Sequence, residues 1–479
     1  MTTRILHLVI IVVLGIVLLP TAKAQVGFSQ QMLQPLTPLP GSELHGWILT
    51  ESMGYMSPLD PKQDPDSLNA THLFQGYIDL QRQWDDWQSK VVLSVGRFTE
   101  SDKSHLSLQD FRLQNENGYR RSILGRSRQT WNLLDDSEHL GMWQPTFEVD
   151  ALRPESAGLT GVFFQNTSGE FETLFFASPL FIPSMGPPIQ TKSGKLVSES
   201  RWFSSPPDSW PFKNVSTGLV YSLDVPDLKD LVFQPSIGIR SSWRSVNGKS
   251  WSNMGFAYKP VNELVLKYRV ELNTPEVDPI TGTIAIKPAV AHHALISFEQ
   301  GYLVTETAQF SFHAMMDSPM NTAPEEGWIK QQLESQQILG AAYEDRWSLP
   351  IFKVPFQFRW INYKVFGGKI KDVDSKGVDK GAIFPQRTKF NEVSHWEISH
   401  ILRWSRSKLE TKYSFLREWS QRGSINQLEL NYSPHHFWTI TAGVDVLGVD
   451  DENDSGSDSG FIDKFRANDR VYGGIKYVF

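Results

Sequence analysis

The stretch Val471-Tyr-Gly-Gly-Ile-Lys-Tyr-Val-Phe479 decides the fold, because an apolar residue or a glycine stands at every second position up to the terminal aromatic ring. This period of two predicts a strand with one apolar face and one mixed face. The residues of the apolar face are Val471, Gly473, Ile475, Tyr477 and Phe479. A transmembrane β-barrel needs such a strand, since one face meets lipid and the last strand must pair with the first.

The same ending resembles the C-terminal assembly signal of Gram-negative outer-membrane β-barrels. In that family an aromatic residue comes last, a hydrophobic residue stands two positions earlier and a glycine five positions earlier. In this sequence these residues are Phe479, Tyr477 and Gly474. The resemblance implies an outer-membrane barrel that is inserted by the barrel-assembly machinery and is surrounded by lipid and lipopolysaccharide.

The N-terminal residues predict export. Arg4 precedes an apolar run, residues 5–19, and small side chains follow at Ala22 and Ala24. This order is typical of a secretory signal cleaved after Ala24. A membrane anchor is the alternative, but the run is shorter than the ~20 residues of a spanning helix. The predicted organisation is a signal peptide at 1–24, a short periplasmic tether at 25–42 and one barrel at 43–479.

Composition narrows the class of protein. The chain has 479 residues, of which 40% are hydrophobic and 12% aromatic, with 16 Trp and no Cys. After residue 24 no segment approaches 18 consecutive apolar residues, so the sequence excludes a helical membrane protein. The absence of Cys leaves no disulfide framework, and a formal net charge of −7 argues against a nucleic-acid partner. A soluble β-sandwich or propeller stays open, because period-two strands occur there as well.

Strand patterns recur along the chain. Apolar and polar residues alternate clearly in four stretches, 74–84, 264–270, 427–432 and 438–446. The full pattern predicts an all-β transmembrane antiparallel barrel of about 18 strands, with 16 and 20 as alternatives, because bacterial barrels have even numbers. Aromatic girdles at the two membrane interfaces are expected from Trp residues near strand ends. These are Trp47, Trp84, Trp131, Trp243, Trp360, Trp404 and Trp438.

Connections of two kinds are expected, short periplasmic turns and long extracellular loops. Residues 258–262 and 432–436 contain Pro and predict short turns. The polar segments predicted as loops are 101–120, 179–214, 274–288, 317–336, 367–391 and 448–469. The insertion at 179–214 is Pro-rich and apolar, so it should pack on something. A constriction or plug in the lumen, an outward cap and an ordinary loop are its three interpretations.

An 18-stranded barrel is wide enough for water and solutes, so polar residues on the inward faces are candidate lumen-lining residues. They are Asp79, Lys267, Arg269, Glu271, Arg359, Glu397, Arg403, Glu410, Lys412, Glu429 and Asp445. Because both signs of charge are interleaved, no ion preference follows, and structural pairing inside a hydrated barrel explains the pattern as well.

A second resemblance concerns the stretch from Gly96-Arg97 to the segment 124–131. These residues, followed by Trp143-Gln-Pro145, are similar to the early strands of porin-like barrels, in which a Gly-Arg strand and a Trp lead into an Asn/Asp-Pro loop. The resemblance implies a pore lined by arginine near a constriction. It adds Arg97, Arg126 and Arg128 to the candidate lumen-lining residues.

Motifs for catalysis or metal binding are not found. The sequence has no Gly-x-Ser-x-Gly elbow, no His-Glu-x-x-His spacing and no Gly-rich phosphate loop. The acidic stretch 449–460 invites a calcium interpretation, but a solvated acidic loop tip fits it better, since the terminal Glu of an EF-hand is missing. We therefore expect neither an enzyme, nor a cofactor, nor a metal site.

The function predicted from the sequence is an outer-membrane, porin-like channel for passive diffusion of small solutes or ions. Two alternatives stay open. The first is an export barrel for polysaccharide or another polymer in an envelope complex. The second is a non-conducting scaffold that anchors a surface or motility complex. No residue pattern marks a subunit interface, so the oligomeric state is not predicted.

Overall fold

Alternation within each strand places one row of side chains outside and one row inside a closed sheet. The computed structural model describes residues 42–57, 69–99, 104–198, 200–212, 215–272, 281–349, 354–381, 386–404, 406–450 and 460–479. Within them, eighteen strands form one antiparallel sheet in which every strand pairs with its neighbours along the barrel. The strands are β1 Ser42–Tyr55, β2 Ala70–Trp84, β3 Trp87–Phe98, β4 Ser104–Asn117, β5 Arg120–Ser127, β6 Leu159–Ser168, β7 Phe171–Ser178, β8 Ser236–Arg244, β9 Ser250–Pro260, β10 His292–Leu303, β11 Gln309–Met320, β12 Gln336–Leu349, β13 Val354–Gly367, β14 Glu392–Trp404, β15 Ser407–Glu418, β16 Gly423–His435, β17 Trp438–Val449 and β18 Arg470–Val478.

The first and last strands close the barrel. Trp47 of β1 lies opposite Val478 of β18, and the pairing continues to Tyr55 and Arg470. Closure removes both edges of the sheet, so every strand has two partners. The prediction of an all-β antiparallel barrel with 18 strands is confirmed.

The outer face of the barrel is apolar. Side chains that are exposed on the strands include Ile48, Phe74, Leu124, Phe164, Phe175, Ile239, Phe256, Phe298, Phe312, Ile398, Leu430, Ile440 and Ile475. They alternate with inward residues, as a lipid-facing belt requires. Trp84, Trp404 and Trp438 are exposed at one end of the barrel, where the girdle was expected. Trp131 is different: it is only 1% exposed, because it follows β5 into the interior.

The two ends of the barrel differ. We call the end where β1 begins and β18 ends the turn rim. Consecutive strands are joined there by short connections such as Asp85–Asp86 and 436–437. At the other end, the loop rim, most connections are long. The short connection predicted at 432–436 is found at the turn rim, but β16 runs to His435 and the turn itself comprises 436–437. The turn predicted at 258–262 is wrong: β9 runs to Pro260 at the loop rim, and the Val261 amide donates to the Ala291 carbonyl at 2.8 Å.

Four long loops build a second sheet at the loop rim, which we call the rim sheet. Its six strands, in spatial order, are Ser209–Phe212, Val215–Leu223, Thr281–Ala289, Val265–Leu272, Ile329–Leu333 and Ile370–Asp374. The stretch at 264–270 was expected in the barrel wall and belongs to this sheet instead. Alternation cannot distinguish the two sheets, because both have one apolar face. The loop predicted at 101–120 is also wrong, since residues 104–117 form β4.

Short elements complete the chain. The helices are α1 Leu133–Glu138, α2 Leu228–Val232 and α3 Phe461–Lys464, with a 3-10 turn at Arg466–Asn468. Two small hairpins pair Thr146–Phe147 with Glu155–Ser156 and Gln190–Lys192 with Lys195–Val197. None of the helices in the described ranges has the length and apolarity needed to cross a membrane. The predicted signal peptide at 1–24 and residues 25–41 of the tether predicted at 25–42 lie outside the described residues, and Ser42 already belongs to β1.

Candidate functional site: a segment that crosses the lumen

The connection between β5 and β6, residues 128–158, turns into the barrel, and we call it the lumen segment. Its side chains Trp131, Leu134 and Trp143 are almost completely buried. They pack against inward residues of the wall from β5 to β14. These wall residues are Ile123, Phe163, Leu174, Phe176, Ala257, Leu295, Met315, Ile338, Ile361, Tyr363, Val365 and Val393. One half of the lumen is therefore filled by an apolar core.

Local hydrogen bonds explain why the lumen segment turns back on itself. The Asn132 side chain caps α1 by accepting from the amides of Leu134 and Asp135. His139 ends the helix with a left-handed backbone conformation, φ 49°. The carboxylate of Asp135 then accepts from the Met142 amide at 2.8 Å and the Trp143 amide at 3.0 Å. The segment thus holds its own turn within the lumen.

The wall is shaped to receive the segment. Trp131 and Trp143 stack with ring centroids 4.6 Å apart and planes 3° from parallel. A Cβ atom at Gly255 would lie 2.8 Å from the Trp143 ring, and one at Gly340 would lie 2.8 Å from a methyl group of Leu134. Both glycines therefore leave space that the segment occupies.

Polar contacts attach the segment to this half of the wall. The buried Glu299 carboxylate on β10 accepts from the Leu133 amide at 2.7 Å. Asn262, just after β9, donates to the Gly141 carbonyl at 2.5 Å and accepts from the Lys259 ammonium at 2.8 Å. Because these groups are buried, losing one partner would leave the other unsatisfied.

Salt bridges attach the segment to the opposite half of the wall. Arg153 lies 2.9 Å from Glu51 of β1, and Asp150 lies 2.8 Å from Arg470 of β18. Arg470 also binds Asp445 of β17 at 2.7 Å. The lumen segment therefore crosses the lumen and binds both sides of the seam where β1 meets β18.

A further contact between the lumen segment and the wall places a carboxylate, a histidine and a serine in the order found in hydrolase triads. The Glu138 carboxylate lies 3.0 Å from Nδ1 of His395, and Nε2 of His395 lies 2.8 Å from the Ser414 hydroxyl. The wall contains a second set of side chains in the same order, Ser311, His313 and Glu299, each at most 4% exposed. There the Ser311 hydroxyl bonds Nε2 of His313 at 2.8 Å, and the Glu299 carboxylate lies 3.3 Å from Nδ1 without a hydrogen bond. Because a buried set of wall side chains has the same order of Ser, His and Glu, this order alone does not indicate catalysis here.

The lumen segment borders several spaces in the described structure, and three of them are larger than about 200 Å³. A vestibule of about 760 Å³ opens at the turn rim and reaches Leu133. A polar cavity of about 240 Å³ lies beside α1 and contains Glu138, His395 and Lys389. A rim cavity of about 280 Å³ lies at the loop rim, between the ends of β1 to β4 and the Pro-rich insertion.

The Pro-rich insertion, 179–214, lies over the lumen segment. The amide of Met185 donates to the Thr146 carbonyl at 2.9 Å, and the amide of Glu148 donates to the Met185 carbonyl at 2.7 Å. Trp202 stacks on Phe461 of α3. The chain that crosses the lumen at its centre is therefore the β5–β6 connection, and the insertion packs on its outer end.

Eight of the predicted lumen-lining residues lie on the inward faces of wall strands. They are Asp79, Arg359, Glu397, Arg403, Glu410, Lys412, Glu429 and Asp445. Several are paired: Glu397 lies 3.0 Å from Arg359 and 2.8 Å from Lys412, and Asp79 lies 3.2 Å from Lys90. Their role in conduction stays a prediction.

The other six lie elsewhere. Arg97 pairs across strands with the outward Phe74 and shares its face, because inward and outward residues alternate on β3. Lys267, Arg269 and Glu271 belong to the rim sheet. Arg126 lies near the end of β5 and Arg128 begins the lumen segment, and Nε of Arg126 donates to the Gly158 carbonyl at 2.9 Å.

Two residues of the predicted assembly signal, Gly474 and Tyr477, lie on β18 at the seam. Gly474 faces Glu51 in the β1–β18 pairing, and a Cβ atom there would lie 2.7 Å from the Thr50 carbonyl oxygen. The ring of Tyr477 packs against Trp438 with centroids 4.9 Å apart. Recognition of Gly474, Tyr477 and Phe479 by the assembly machinery stays a prediction. The proposed cleavage residues Ala22 and Ala24 lie outside the described residues.

Sequence reasoning missed the lumen segment as a structural element. Its signal was present, because Trp131, Leu133, Leu134, Met142 and Trp143 make the region too apolar for a solvated loop. In the described ranges, no group of three or more His, Asp or Glu side chains is placed to hold a metal ion. Of the acidic stretch at 449–460, residues 451–459 lie outside those ranges.

Comparisons with known proteins give no family. No family model matches the chain, and no curated protein matches it. Solved structures of similar fold include Acinetobacter baumannii OccAB3, with 9% identity over 92% of this chain and 100% of that chain and a TM-score of 0.44. Pseudomonas aeruginosa OccK2, solved in complex with glucuronate, has 7% identity over 92% of this chain and 97% of that chain and a TM-score of 0.45.

A third structure is Wzi of Escherichia coli, described as a carbohydrate-binding β-barrel involved in group 1 capsule assembly. It has 9% identity over 92% of this chain and 85% of that chain and a TM-score of 0.43. At such identities and TM-scores, neither the function nor the ligands of these proteins transfer to this chain.

Proposed function

We propose that the protein is a restricted outer-membrane channel in which the lumen segment sets the width of the passage. Small solutes or ions would diffuse passively along the half of the lumen that the apolar core does not fill. Many of the inward side chains there are charged, including Glu410, Lys412 and Glu429, and Glu397 lies next to them on β14. Hydrated charged walls suit the passage of polar solutes.

One observation carries this proposal: the lumen segment packs on the wall from β5 to β14 through a large apolar core. Its contacts with the other half combine salt bridges with a smaller apolar cluster around Ile425 and Leu447. Contacts such as Arg153–Glu51 and Asp150–Arg470 leave the vestibule and the polar cavity on either side of the segment. A segment that is held in this way narrows the lumen without filling it.

The location follows from the same architecture. An apolar belt with Trp at the turn rim fits the outer membrane, where lipid and lipopolysaccharide would surround the barrel. We include export by cleavage after Ala24 and insertion by the barrel-assembly machinery in the proposal. Both rest on the sequence patterns at the two ends of the chain.

The proposal is tested by replacing residues 130–157 with a short Gly-Ser linker and recording single-channel conductance in planar bilayers. Removal of the segment should increase the conductance several-fold, because the apolar core no longer occupies half the lumen. The matched control deletes the hairpin at 190–197, which lies outside the wall, and should change conductance much less. Equal conductance of the unmodified and linker forms, with both barrels folded on a heat-modifiability gel, would contradict the proposal.

A non-conducting scaffold is the second candidate, favoured by the fact that the segment reaches both halves of the wall. In that case the unmodified barrel would give no channel events, and only the linker form would conduct. The export barrel proposed from the sequence would instead co-purify with periplasmic partners.

A further inference from the structure

We propose that the rim cavity binds an uncharged amphiphile, a molecule with a small apolar body and one oxygen acceptor such as an alcohol, ether or carbonyl group. This site is separate from the passage, and nothing in the proposed channel function requires it.

The rim cavity has mainly apolar walls. Met53 of β1, Phe98 of β3, Phe147 of the lumen segment and Met185 and Trp202 of the Pro-rich insertion line it. Four separate parts of the chain thus contribute to one cavity of about 280 Å³. An apolar cavity of ~150 Å³ in a protein core accommodates benzene, so this one has space for a ligand of about eleven heavy atoms.

Two buried polar atoms in the wall of the cavity have no hydrogen-bond partner among the described residues. They are Nη2 of Arg470, a residue with 0% exposure, and Oγ1 of Thr71 on β2. Nε and Nη1 of the same guanidinium are bound to Asp445 and Asp150. Because a buried donor without an acceptor is costly, a ligand oxygen that reaches either of these groups would satisfy it.

The charges around the cavity favour a neutral ligand. Arg470 is flanked by two carboxylates, and one of them, Asp150, itself lines the cavity. Arg153 next to it is paired with Glu51. Arg201, which also lines the cavity, already donates to the Asn468 side chain and to the carbonyls of Ser57 and Ala467. An anionic ligand would approach Asp150 and would compete for guanidinium groups that already have acceptors, so the acceptor should be uncharged.

The test uses methionine methyl NMR on the full barrel in lipid nanodiscs, since detergent tails are themselves candidate ligands. The probe is 1-hexanol, and hexanoate is its charged counterpart with the same chain. The methyl signals of Met53 and Met185 should shift with saturation as 1-hexanol is added. Met254, which is 60% exposed on the outer face, should respond only in proportion to the alcohol dissolved in the lipid.

Two variants separate the cavity from its polar atoms. Met185→Trp should fill the cavity and abolish the saturable shift. Thr71→Val should keep the shape and weaken 1-hexanol binding about five-fold, as expected for one hydrogen bond. Thr173→Val, a position on β7 next to the inward Leu174 and thus on the outer face, is the matched control and should leave the affinity unchanged.

The proposal is overturned if Met53 and Met185 show no saturable shift in the folded barrel. It is also overturned if hexanoate binds as tightly as 1-hexanol, or if Thr71→Val binds with unchanged affinity.

Discussion

Single residues on the inner wall decide whether the lumen segment can dock. Gly255 and Gly340 face the segment, and a side chain at either position would collide with Trp143 or Leu134. Gly76 of β2 differs, because a Cβ atom there would meet nothing within 4 Å. Close packing thus requires glycine at positions 255 and 340, whereas glycine at position 76 is replaceable.

Gly255→Val should displace Trp143 and loosen the lumen segment. Overpacking of this kind costs about 1–3 kcal/mol, and the wider passage should increase single-channel conductance. Gly76→Val is the matched control and should leave conductance and stability unchanged. Conductance recordings and urea unfolding of both variants check this, and equal behaviour of the two would contradict it.

Acid should weaken the docking of the lumen segment. Burial alone would raise the pKa of Glu138, but pairing with His395 and the nearby Arg359 outweigh it, so the pKa lies below its usual 4.5. For a carboxyl with a lowered pKa in the folded state, the stabilisation is complete above pH 4.5 and is lost as the pH falls through the lowered value.

Conductance should therefore increase as the pH is lowered below about 4.5, the ordinary pKa of Glu. Glu138→Gln should open the channel partly at neutral pH and show a smaller acid response. Conductance measured from pH 7 to pH 3 tests this, and a variant with the same pH profile as the unmodified chain would speak against the role of Glu138.

At the scale of elements, some of the charged residues predicted to line the lumen lie in the barrel wall and others lie in the rim sheet. Lys412 of β15 faces the lumen, where it pairs with Glu397 at 2.8 Å. Lys267 has the same alternating sequence context but lies in the rim sheet, where it pairs with Glu325 at 3.3 Å. Only charges within about 10 Å of the permeating ion, the Debye length at 0.1 M salt, should influence its passage strongly.

Lys412→Gln should shift the reversal potential under a salt gradient toward cation preference, because one positive charge leaves the passage. Lys267→Gln removes the same charge from the rim sheet and should shift the potential less. If Lys267→Gln has the larger effect, the passage runs past the rim sheet and not past β15.

At the scale of the whole molecule, the seam between β1 and β18 is held from inside. The lumen segment provides Asp150 and Arg153, and the wall provides Glu51, Asp445 and Arg470. The interior thus stabilises the one pairing that joins the two ends of the barrel, and this pairing spans the largest separation in sequence.

Arg470→Met should destabilise the barrel strongly, because it leaves Asp150 and Asp445 buried without their partner. Breaking a buried ion pair costs about 3–5 kcal/mol. Arg269→Met removes an exposed arginine, whose side chain and that of its partner Glu271 are 45% and 56% exposed, and should cost at most about 1 kcal/mol. Urea unfolding followed by gel mobility compares the two, and a similar loss in both would contradict the role of the seam.

The sequence by itself determined which rows of many strands are apolar, because a period of two along a strand is a local property. It predicted 18 strands with 16 and 20 as alternatives, although it counted 264–270 as wall and missed the strand at 104–117. It also placed residues such as Glu397, Lys412 and Glu429 on the inward face for the same reason.

Only the tertiary structure decided what fills the lumen and which alternating stretches leave the wall. Trp131 and Trp143 find their partners on strands from β5 to β14, and Lys267 joins a sheet made of four separate loops. Such contacts join chain segments that are distant in sequence, so the periodicity of one strand cannot predict them.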